Sequence, residues 1–156
     1  MLEYLIKLYN YNHWSTEVLI DFIEKKKINS NDVNRLLSHL LNLTFIRYQN
    51  INPAFHTSFG LWQIHSADKF RELNNTISSE IVAHLTGMKP RNAVEKMHSL
   101  STDGEEILVS KGDMFIHIAN HAAHHRGQIC HILRDLGYTP PGIGYLRYTI
   151  SFPEFW

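Results

Sequence analysis

Five of the chain's eleven histidines fall in one stretch, KGDMFIHIANHAAHHRGQICHILRDLG, from Lys111 to Gly137. They are His117, His121, His124, His125 and His131. Imidazole binds first-row metals through either ring nitrogen, so what such a cluster offers first is metal ligation. The stretch reads as one helix. Ser110 with Asp113 makes a capping start, Gly137 stands where a helix stops, and nothing between them breaks the run. Histidines four apart on a helix share a face, one turn above the other. With Ile118 at zero and about 100° per residue, His125 falls at about −20° and His121 at about −60°, while His117, His124 and His131 fall at about −100°, −120° and −140°. The apolar stripe is Phe115, Ile118, Ala122, Ile129, Ile132, Leu133 and Leu136, so His121 and His125 are the inward pair. A histidine there needs partners for its ring nitrogens, and two stacked inward favour a metal over a structural role.

The neighbouring residues narrow the chemistry. The H-E-x-x-H pattern of zinc proteases is absent, because Ala122 and Ala123 lie between the inward histidines. Cys130 is the only cysteine, which excludes a thiolate cluster and an internal disulfide. No acidic residue occurs between Asp32 and Asp68. A water activated by the metal is then the natural nucleophile or exchangeable ligand.

The elements that must position these residues are helical. A first helix spans 2–27, with Leu5, Leu8, Asn12, Thr16, Leu19 and Ile23 inward and Tyr9 and Ile20 widening the stripe. Asn12 and Thr16 either bond nearby backbone, the favoured reading, or line something polar inside. A second helix spans about 33–50 on Leu36, Leu37, Leu40, Leu43 and Thr44. His39 lies on its flank, away from Asn34, Ser38 and Asn42, and on this evidence reads as a satisfied boundary residue. Arg47 projects near the Leu40 side without an evident reason. Residues 52–63 are a loop, and a third helix spans about 66–85, with His84 placed as a cation near its C-terminal end. Pro90 starts a short helix to about Leu100. Residues 101–110 are expected to hold a turn and one strand-like piece. The tail YTPPGIGYLRYTISFPEFW is expected to be irregular backbone over one end. Four helices with little strand pattern predict an all-α four-helix bundle, a single domain over 1–156.

Composition excludes other classes. At 44% apolar residues the chain has material for a real core, and its formal net charge of zero argues against a duplex nucleic-acid surface. No 18-residue apolar run and no cationic leader occur, so the expectation is a cytoplasmic protein without a membrane span.

HIANHAAHHRGQICHILRDLG resembles the signature helix of the DinB/YfiT-like family of metalloenzymes, N-H-x-x-H-H-R-G-Q-I with a downstream L-R-x-L-G. YNYNHWSTEVLIDFI is similar to the family's opening helix and LLSHLLNLT to its second. The family shares only a name with the lesion-bypass polymerase. The resemblance implies a four-helix bundle with a divalent metal, zinc or nickel, on three histidines: His39, matching the second helix, with His121 and His125. It also implies a homodimer acting on a small-molecule substrate. Some relatives activate a low-molecular-weight thiol for transfer and others are described as hydrolases; the alternative is a non-enzymatic metal-binding or stress-response dimer. Arg126 and Gly127 point away from His125 and read as packing or interface residues. Gln128, on the inward flank, is a candidate neighbour of the metal, and Asn12 and Thr16 are candidates for the same cavity. The sequence departs from the family after the second-helix histidine, where it reads Leu-Thr-Phe-Ile-Arg, and after Pro140-Pro141, where an aspartate is replaced by Gly142-Ile143-Gly144. These departures bear on substrate chemistry rather than on metal ligation.

Overall fold

The computed structural model of the protein describes residues 2–101 and 103–153. The described chain is mostly helical. Its elements are α1 (Leu2–Lys25), α2 (Asn31–Ile51), α3 (Phe70–Gly87, entered through a 3₁₀ turn at Ala67–Lys69), α4 (Pro90–Ala93), β1 (Lys96–Leu100), β2 (Glu106–Ser110), α5 (Lys111–Asp135) and α6 (Tyr145–Ser151). The four long helices contact one another in a ring, α1 with α3, α3 with α2, α2 with α5 and α5 with α1.

Helices α2 and α5 start, and α1 and α5 stop, for local reasons that the sequence carries. Ser30 caps α2 by accepting from the Val33 amide, and Ser110 caps α5 by accepting from Asp113 N at 3.0 Å. α5 ends on Gly137 at φ 85°, with Tyr138 N bonded to Leu133 O and Gly137 N to Arg134 O. That is the Schellman arrangement, in which glycine takes the left-handed residue without strain. α1 ends the same way, but Lys27 holds the left-handed position at φ 51°.

The helix faces meet in two apolar clusters. One gathers Leu19, Ile20 and Ile23 of α1 with Leu36, Leu37, Leu40 and Leu41 of α2 and Ala122, Ile129 and Leu133 of α5. The other gathers Leu5 and Tyr9 with Phe45, Tyr48, Ile77, Ile81, Phe115 and Ile118. Along α1, the buried polar residues Asn12, Ser15 and Thr16 fall between the two sets.

Several expectations change. The helix begun by Pro90 lasts one turn, and Lys96–Leu100 is a strand paired antiparallel with Glu106–Ser110, Lys96 opposite Ser110. The apolar run 107–109 gives the preceding segment a pairing partner, and Met97 and Ser99 turn inward while their neighbours face solvent. Arg47 is accounted for by the same hairpin: it donates to Ser99 Oγ at 3.0 Å and to Leu100 O at 2.9 Å. The tail is not wholly irregular. Beyond Gly144 no breaker occurs before Pro153, and α6 forms there, stacking Tyr145, Tyr148 and Phe152 around Tyr11 and Trp14 of α1. Glu154, Phe155 and Trp156 of the predicted tail lie outside the described residues. Leu136, counted into the α5 stripe, is half exposed. No helix among the described residues is long and apolar enough to cross a membrane.

Candidate metal centre

Apolar packing of α2 against α5 sets His39 opposite His121 and His125. One ring nitrogen from each of the three lies within 4.8 Å of the others, and among the described residues no other group of three or more metal-ligating side chains converges in this way. His125 Nε2 and His121 Nε2 are 3.0 Å apart, and the His39 ring centre is 4.7 Å from that of His125 and 5.2 Å from that of His121. His39 and His125 are buried and His121 is partly so.

The far side of each ring decides which nitrogen is free. His125 Nδ1 donates to Gln128 Oε1 at 2.6 Å, and His39 Nδ1 donates to the Leu61 carbonyl at 3.2 Å. A neutral imidazole that donates through Nδ1 keeps its lone pair on Nε2, so both rings present a bare Nε2 to the centre. His121 Nδ1 is buried without a partner. Burial and the neighbouring rings hold all three neutral: desolvation and then His125 push His121 down to about 3, and desolvation lowers His39 and His125 despite the opposing effects of Leu61 O and Gln128.

A tetrahedral ion with imidazole nitrogens at 2.0–2.1 Å holds them about 3.3 Å apart. Three neutral rings, two with oriented Nδ1 donors, with His121 and His125 nitrogens 3.0 Å apart and all three within 4.8 Å of one another, fit a divalent ion. No cysteine or carboxylate joins the cluster among the described residues.

Part of the centre comes from the loop after α2. Trp62 stacks on His39 with ring centres 3.8 Å apart and planes 14° apart, and the Arg35 guanidinium lies over the Trp62 ring at 5.5 Å. The loop is fastened to α2 by Asn42, whose Nδ2 donates to Gln63 O at 2.7 Å and whose Oδ1 accepts from His65 Nε2 at 2.6 Å. Ser38 Oγ accepts from the His65 amide. Ser38 and Asn42, placed on the outer side by the wheel, are therefore buried at 1% and 0% exposure. Leu61 and Trp62 were missed because a loop has no periodicity to read. The one available signal was Ser38 and Asn42, a polar pair four apart that needed something to bond.

The remaining candidates separate. His117, His124 and His131 are exposed, and His131 lies 3.6 Å from Asp135. His84 is not a cation at a helix end: its Nδ1 meets Tyr48 OH at 3.2 Å, and desolvation and Lys111 lower its pKa. Gln128 touches the centre through His125. Asn12 and Thr16 do not satisfy themselves locally. Asn12 Oδ1 accepts from Arg126 Nη2 at 2.7 Å and Thr16 Oγ1 from Arg126 Nη1 at 3.4 Å, on the side of α5 turned from the histidines. Arg126 itself is 1% exposed, the largest fully buried side chain among the described residues.

The family model of the DinB family matches residues 1–152, a span that takes in all three histidines and both helices that carry them. The chain belongs to the DinB family. No curated protein matches it. Within this DinB-family chain the matched span also includes the loop that places Leu61 and Trp62 against His39.

Proposed function

We propose that His39, His121 and His125 hold one divalent ion, zinc or nickel, and that the protein is a metal-dependent enzyme of thiol-transferase or hydrolase type acting on a small molecule. The observation that carries this reading is the convergence of three neutral imidazoles with no fourth ligand from the described residues. Three protein ligands leave a position for an exchangeable group, the pattern of a catalytic rather than a closed structural site. When bound, the ion supplies Lewis acidity, lowering the pKa of a water or a low-molecular-weight thiol. The chain's own residues do the positioning. Leu61 O and Gln128 hold the His39 and His125 tautomers, and Trp62 covers one face of His39. We read the ring of four long helices as a four-helix bundle, residues 1–156 as one domain, and the working form as a cytoplasmic homodimer without nucleic-acid or membrane partners.

One observation favours a second reading. No carboxylate or cysteine joins the cluster among the described residues to serve as a base. That suits a non-enzymatic metal-binding or stress-response dimer in which the ion fixes helix geometry.

Two measurements decide. Metal content of the purified protein should be about one ion per chain, lost in His39→Ala and His125→Ala and kept in His131→Ala; an ion retained by His125→Ala overturns the ligand set. Absorption spectroscopy of the cobalt-substituted protein should then show an exchangeable ligand, and turnover should appear in a panel pairing small thiols with electrophiles or in one of esters and amides. A closed four-ligand shell with no turnover in either panel gives the second reading.

A further inference from the structure

Arg126 stands apart from the metal centre and is unused by it. Its guanidinium is buried among neutral groups: Asn12 Oδ1, Thr16 Oγ1 and the Tyr11 ring, whose centre is 5.4 Å away. A buried cation without a counter-charge is costly, and proteins pair or neutralise such groups. Here the chain supplies no carboxylate. The half-open cavity beside Arg126 is lined by no aspartate or glutamate. Glu17, which reaches the wall residue Asn74, is engaged by Arg71.

Two polar atoms at this place are buried and unbonded, Arg126 Nε and Asn12 Nδ2. Both are N–H donors. Asn12 has turned its Oδ1 to the guanidinium, which fixes the amide and leaves Nδ2 facing elsewhere. The Thr44 hydroxyl on the cavity wall gives its proton to Leu40 O at 2.9 Å. The cavity leaves about 20 Å³ for the centres of water-sized particles. One such centre needs about 10–15 Å³, so the space takes a single small species and excludes sulfate, phosphate or an organic anion. A water would satisfy the two donors but leave the guanidinium without a counter-charge, whereas an anion accepts from both and supplies that charge.

We propose that this cavity is a binding site for one chloride-sized monovalent anion, held by the N–H groups of Arg126 Nε and Asn12 Nδ2. The site is independent of the metal reading, because it uses none of the three histidines.

The test is a crystal of the wild-type protein grown with sodium bromide, with anomalous data collected at the bromine edge. A peak within hydrogen-bonding distance of Arg126 Nε and Asn12 Nδ2 is the expected result. A water at that place, an empty cavity, or bromide bound only at the surface overturns the proposal. A solution measurement accompanies it at constant ionic strength. Exchanging gluconate for bromide should raise the midpoint of thermal unfolding by roughly 3–6 °C per tenfold rise in bromide above its dissociation constant. Asn12→Asp brings a carboxylate to the guanidinium and should abolish both the peak and the bromide dependence. Equal midpoints in bromide and gluconate for the wild type, or an undiminished bromide response in Asn12→Asp, refute it.

Discussion

Two of the three candidate ligand histidines are hydrogen-bonded on the nitrogen turned away from the cluster, and the holders differ. His125 relies on Gln128 three residues along its own helix, and His39 on a backbone carbonyl from a loop. Gln128→Leu should therefore leave α5 folded while lowering metal affinity about 10–100-fold, measured by competition with a chromogenic chelator. Gln128→Glu, which keeps an acceptor, should retain most of it. The depressed pKa values carry a sign of their own. A histidine lowered from 6.5 in the fold binds its proton more weakly there than in the unfolded chain, so protons favour unfolding. The stabilisation tied to the neutral cluster is complete above pH 6.5 and is lost as the pH falls from there toward about 3, the value for His121. Urea unfolding of metal-free protein at a series of pH values should show this fall, and His121→Gln should flatten it. A profile unchanged by that substitution would place the acid sensitivity elsewhere.

At the scale of elements, the loop after α2 belongs to the candidate metal centre as much as α5 does. Asn42 fastens it by three hydrogen bonds from a fully buried position, to Leu61 O, to Gln63 O and from His65 Nε2. Asn42→Ala should cost about 1–3 kcal/mol in denaturant unfolding and should weaken metal binding, although Asn42 touches no ligand. A stability loss with unchanged metal affinity would mean that Leu61 and Trp62 keep their places without it. This coupling also marks where the sequence stopped being legible. The wheel picked out His121 and His125 because α5 is long, uninterrupted and patterned. It left His39 as an ordinary flank residue, since a lone histidine on a helix flank carries no mark of what faces it. It placed Asn42 and Ser38 outside, because periodicity measures burial against other helices and cannot see a loop folding back. Arg126 is legible as a packing residue and no further, because its neutral partners Asn12 and Thr16 are remote in the sequence. The sequence reads as helix over β1 because the strand's pairing partner lies beyond a turn, and as coil over α6 because the glycines and prolines before it dominate the segment.

Across the whole molecule, His39 belongs to α2 and its partners to α5, helices far apart along the chain that otherwise adhere by apolar packing. An ion shared between them would act as a removable staple across that long-range contact. Species that bind only the folded form stabilise it by mass action, and opening must wait for their release. The consequence reaches the protein's lifetime among proteases. Where cleavage requires transient opening and reclosing is fast, the cleavage rate follows the population of the open form. Adding a strong chelator should therefore speed digestion by a protease that needs no metal ion, such as papain, with first cuts near the α2–α5 seam. His39→Ala should be digested at the chelator-treated rate whether or not chelator is present. On this view metal supply would set not only whether the site is competent but how long each copy of the chain survives.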